Sequence, residues 1–84
     1  MEKGIIYLKE VKENGEVSLI SSDETTREDA IFEIDKIKKE YKRDYTGLYL
    51  LSGNIRIRFK MRTVIKEYTF IVEYVKWGNK PVFE

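Results

Sequence analysis

The sequence predicts an α+β fold: one domain in the order β-β-α-β-β-β, a largely antiparallel sheet with one helix packed on one face. Three observations predict it. Ile55-Arg56-Ile57-Arg58-Phe59-Lys60-Met61-Arg62 alternates apolar and basic residues without a break, the period of a strand whose two faces meet different surroundings. Ala30, Ile34, Ile37, Tyr41 and Tyr45 share one arc at the helical spacing of about 100° per residue, as a helix lying on a core requires. Asn14-Gly15 separates two apolar runs, a strong short-range hairpin signal.

Residues 4–12 read as the first strand and 16–21 as its hairpin partner, with a type I′ turn at Asn14-Gly15 because both central positions need positive φ. Residues 21–26 read as a polar connector ending in good helix caps. Thr25 with Glu28, or Thr26 with Asp29, supplies a capping box. The helix is expected over about 26–44, stopped by Thr46-Gly47, with Phe32 alone on its charged face.

Residues 48–52 form the third strand and Gly53-Asn54 a tight turn into the fourth, 55–62. That turn places Leu50 opposite Ile57 and Leu48 opposite Phe59 on the core side. On the outer side it places Tyr49 opposite Arg58 and Leu51 opposite Arg56. The fifth strand runs over 67–77. Between the last two strands lies Thr63-Val64-Ile65-Lys66, a poor turn sequence without Gly, Pro or Asn. Keeping all four in the loop pairs Met61 with Tyr68, Phe59 with Phe70, Ile57 with Val72, Arg62 with Glu67 and Arg56 with Glu73. Hydrophobic and charge matching agree on that register. Residues 79–84 are a short tail whose Phe83 is available to dock on the body. The first hairpin is apolar on both faces, so its edge is either covered or used in self-association.

A chain of 84 residues has room for one core only. The net charge of +1 hides a division: residues 1–45 hold nine Lys/Arg and twelve Asp/Glu, and residues 46–84 hold seven and three. Within the helix, acids gather early and bases late, which complements its macrodipole. No apolar run nears the ~20 residues that cross a bilayer, and the start lacks a signal-peptide pattern, so a cytoplasmic protein with no membrane partner is expected.

Catalysis is not expected. With no His and no Cys, the commonest general base, the thiol nucleophile and the usual transition-metal ligands are absent. The four serines lie in strand or turn contexts, and the five glycines form no phosphate loop. Asp29 and Glu33 share a helix face, but a helix start attracts acids for electrostatic reasons. No cofactor or metal is expected.

Function therefore rests on binding. In the favoured register the outer sheet face carries Tyr49, Arg58, Lys60, Ile71 and Trp77, flanked by Arg56 and Arg62, with Phe32 as a second locus. Tyr, Trp and Arg dominate interface hot spots, and Leu51, Ile71 and Val75 add apolar area. The expected partner is a protein, or a second copy in a homodimer. An inhibitor or adaptor fits this size, and the Lys-, Glu-, Ile- and Tyr-rich composition suggests a phage or mobile-element origin. The alternative is nucleic acid, gripped by the stripe Arg56/Arg58/Lys60/Arg62 with Tyr49 and Trp77 as stacking platforms. Against it, Glu67 and Glu73 neutralise Arg62 and Arg56, leaving Arg58 and Lys60 as free charges on a nearly neutral chain. Basic residues on a strand exterior also serve simply to keep a sheet from aggregating.

Overall fold

In the computed structural model residues 2–42, 44–51 and 53–80 are described, 46–51 by their backbone alone. The elements are β1 (Lys3–Val11), β2 (Val17–Thr26), α1 (Arg27–Glu40), β3 (Tyr45–Leu51), β4 (Asn54–Arg62) and β5 (Glu67–Lys76). The α+β class and element order are as expected. All five strands join one antiparallel sheet in the order β2-β1-β5-β4-β3. The first hairpin thus docks on the far side of β5, and the last strand in the chain becomes the centre of the sheet.

The first turn differs from expectation. Gly15 N–H donates to the Lys12 carbonyl at 2.9 Å and Lys12 N–H to the Glu16 carbonyl at 2.8 Å, with Gly15 at φ +86°. Glu13-Asn14-Gly15 is therefore a three-residue loop with glycine in the left-handed position, not a two-residue type I′ turn. Beyond it, β2 runs on through Ser21–Thr26, where a connector was expected, and pairs with Lys3–Leu8. An exposed edge strand is held by backbone pairing alone and needs no apolar signature. Leu8 pairs with Ser21 and Lys9 with Leu19, leaving Ile20 as a bulged residue.

Thr26 is the helix cap: its Oγ1 accepts the Asp29 N–H at 3.2 Å. Glu28 and Asp29 occupy the first turn and Lys38 and Lys39 the last. The helix stops at Glu40, four residues before its expected end. Asp44 N–H donates to the Tyr41 carbonyl at 2.9 Å, and the Asp44 carbonyl accepts Lys60 N–H at 2.8 Å, so the chain has already joined β4. Thr46-Gly47 accordingly lies inside β3 and does not end the helix. Tyr45 still reaches the core, but as a strand residue opposite Phe59.

The β4–β5 register is the expected one at every position, from Arg56 against Glu73 to Arg62 against Glu67. The β3–β4 register is not. Leu51 pairs with Asn54, Leu50 with Ile55 and Tyr49 with Arg56; a bulge follows, and Thr46 then faces Arg58. Asn54 explains the shift, because it belongs to the strand rather than to the turn. It is buried, with Oδ1 accepting from Lys76 N–H at 3.1 Å and Asn79 Nδ2 at 3.0 Å, and Nδ2 donating to the Lys80 carbonyl at 3.2 Å. Gly53 beside it takes φ +90°.

The core lies between α1 and the sheet: Ala30 and Ile34 pack on Ile55, Ile57, Phe59, Val72 and Tyr74. Ile6, Leu8, Ile37, Tyr41, Tyr45 and Phe70 close its margin. A 14-residue helix spans about 21 Å, whereas strands of nine or ten residues run about 30 Å. The helix cannot roof the whole sheet. Phe83 of the tail lies outside the described residues.

Candidate protein-binding surfaces

β4 and β5 do place the predicted basic stripe on the face away from the helix, but its centre is closed. Lys9 Nζ meets Glu73 Oε1 at 2.8 Å, and the two side chains are 1% and 0% exposed. Arg56, opposite Glu73, is buried as well, and Ile71 is only 2% exposed. Ile71 is therefore no contact residue, and Val75 adds no exposed apolar area. With β1 paired on one flank and β4 on the other, β5 lies in the middle of the sheet, and its residues from Ile71 to Val75 are buried. The Lys9 ammonium stands 5.5 Å from the Tyr7 ring centroid.

The expected row Tyr49–Arg58–Ile71 is split by the β3 register. Arg58 faces Ile71, which in turn faces Lys9, whereas Tyr49 sits one row away, across from Arg56. The Tyr49 side chain lies outside the described residues. Nor are the remaining bases free, as expected for Arg58 and Lys60. Lys60 pairs with Glu67 at 3.5 Å, and Arg62 pairs with Glu67 at 3.1 Å and with Asp44 at 3.2 Å. Arg58 is half-buried and engaged. It borders a broad cleft of about 1070 Å³ between the two hairpin ends, where Glu10, Glu13 and Glu67 balance Lys12, Lys66 and Arg58. Mixed charge of this kind does not form a phosphate track.

Two predicted loci are exposed as expected. Phe32, 64% exposed, has Lys36 Nζ 5.7 Å from its ring, and Trp77 lies 6.0 Å from Lys3 Nζ at the opposite end of the sheet from the β4–β5 turn.

Among the described side chains, the most exposed large apolar ones were not in the predicted binding set. Val64 and Ile65, at the tip of the β4–β5 hairpin, have relative exposures of 105% and 95%. Their turn is held by one side chain: Thr63 Oγ1 accepts from Lys66 N–H at 3.0 Å and Ile65 N–H at 3.3 Å and donates to the Lys66 carbonyl at 2.9 Å. Thr63 N–H also donates to that carbonyl at 2.9 Å. Threonine thus does locally what Gly, Pro or Asn does in commoner turns. The arm behind the tip is stiffened by an aromatic series, Tyr41–Phe59 at 4.9 Å, Phe59–Phe70 at 5.8 Å and Phe70–Tyr68 at 6.1 Å, ending with Lys66 Nζ 5.0 Å from the Tyr68 ring. The signal in the sequence was the poor turn itself: two β-branched apolar residues stand where polar ones are usual.

A second feature lies on the helix side. Where α1 leaves the sheet uncovered, Ile6, Leu8, Ile37 and Val72 line a groove of about 400 Å³ rimmed by Ser21, Asp23 and Glu33. Among the described residues no group of three or more Asp or Glu side chains is placed to hold a metal ion, and no helix is long and apolar enough to cross a membrane. No protein family, curated protein or solved structure matches this chain.

Proposed function

We propose that this chain is a non-catalytic binding protein, an inhibitor or adaptor in kind, that engages a partner protein through the tip of its β4–β5 hairpin. The observation that carries this reading is the pair Val64 and Ile65, fully exposed on a turn locked by Thr63. Folding gains nothing from them, because they bury no surface within the chain. Binding does gain. An apolar anchor already held in one conformation loses little entropy on docking, and burying it in a pocket releases its hydration water. Arg62 and Lys66 beside the tip supply a polar rim. The closed centre of the outer face moves the contact surface from the middle of the sheet to this end.

Comparative affinity capture tests the reading. Immobilised parent and a Val64→Ser/Ile65→Ser variant are exposed to the same lysate, with equal melting temperatures as the control for folding. A protein held by the parent and lost by the variant is the expected result. Identical retained sets from a lysate to which the free chain has also been added would remove the tip from consideration.

A further inference from the structure

We infer that the occupant of the helix-side groove is the β4–β5 tip of a second copy of this chain, exchanged reciprocally in a two-fold dimer. The inference rests on the tip being a binding element and names its partner. Both halves of such a contact are present on one molecule. The donor is Val64-Ile65, apolar, fully exposed and flanked by the exposed Lys66. The acceptor is the groove, whose floor is formed by Ile6, Leu8 and Ile37 and whose rim carries the carboxylates Asp23 and Glu33. Its volume of about 400 Å³ falls in the range of pockets that enclose small ligands, about 300–1,000 Å³, and admits two aliphatic side chains.

Charge fixes the polarity of the fit: a lysine at the donor meets acids at the acceptor rim. The tip cannot reach the groove of its own molecule. Four residues of β4 separate Ile57, which is level with Leu8 through Val72, from Arg62, and the stiffened hairpin carries the turn away from that row. A second copy can reach it. Because each molecule offers one tip and one groove, two-fold exchange satisfies both and closes the assembly, whereas one-way docking would continue into a filament.

Sedimentation velocity from micromolar to millimolar concentration tests this directly. The parent is expected to pass from monomer to dimer, and Val64→Ser/Ile65→Ser to stay monomeric with an unchanged melting temperature. Asp23→Lys and Lys66→Glu are each expected to weaken the dimer by about fivefold, and the two together to restore it. A parent that is monomeric throughout overturns the inference. So does a dimer that survives loss of the tip, one that is indifferent to both charge reversals, or one whose size grows without closing. A monomeric parent that still captures a tip-dependent protein would refute the two-fold exchange and leave the binding reading standing.

Discussion

At the scale of single residues, Gly4 and Tyr74 act as a pair. Gly4 faces the helix side of β1, and any β-carbon there would run into the Val75 carbonyl and the Tyr74 ring. The bare backbone lets the ring lie across it, and the Tyr74 hydroxyl then donates to Glu2 at 2.9 Å. Glu2 is also close to Arg27 Nη1, which donates to the Gly53 carbonyl at 2.9 Å, so the chain start, the helix start and the β3–β4 turn are tied together. Gly4→Ala should cost about 2 kcal/mol or more by overpacking, read from urea unfolding. Burial, and then the bond to Glu2, push the Tyr74 hydroxyl up to about 12 from an ordinary value of 10.0. The unfolded chain therefore releases this proton at lower pH than the native one. Stability linked to Tyr74 is complete below pH 10 and is lost as pH rises towards 12. Unfolding of the parent and Tyr74→Phe, compared at pH 9 and pH 11, should show the steeper loss in the parent; parallel losses would remove the linkage. Phe32 is the contrasting case: with its ring exposed, Phe32→Ala should cost less than about 1 kcal/mol.

At the scale of elements, the first and last hairpins end in different ways. The first ends in Glu13-Asn14-Gly15, where backbone geometry needs a glycine. The last has no such residue and relies on the Thr63 hydroxyl. Thr63→Val keeps the shape and removes the hydroxyl, and should cost about 1 kcal/mol in thermal or urea unfolding. If the tip is a preformed binding element, the same substitution should weaken partner contact more than it lowers stability, because a loosened turn must be ordered again on docking. Much of this was legible in the sequence. Helix arc, cap and β4–β5 register all followed from periodicity and charge matching. Residues 21–26 and the β3 register did not. An edge strand with both faces in water carries no apolar pattern, and Asn54 reads as a turn residue until the chain after β5 is placed beside it.

At the scale of the whole molecule, the decisive fact is that β5 is central. It brings Lys9 of β1 to Glu73 of β5, and the face that looked open encloses this ion pair. Such a pair is sensitive to losing one partner. Lys9→Met should cost about 3 kcal/mol in denaturant unfolding, because it takes the ammonium away from a carboxylate that stays buried. The same closure bears on the nucleic-acid alternative. With Lys60 and Arg62 held by Glu67 and Asp44, random oligonucleotides at low salt should give no saturable change in fluorescence anisotropy. Steep, salt-sensitive binding would return the stripe to the centre of the function.

By itself the sequence determined the class, the element order, the helix face and the pairing of the last two strands. These depend on contacts between neighbours in the chain, where periodicity, caps and facing charges are written directly. Only the tertiary structure decided which strand lies in the middle, which bases are enclosed and which apolar residues are left outside. Those outcomes depend on the pairing of Gly4–Val11 with Thr69–Lys76, residues nearly a whole chain apart, and no local pattern encodes that meeting.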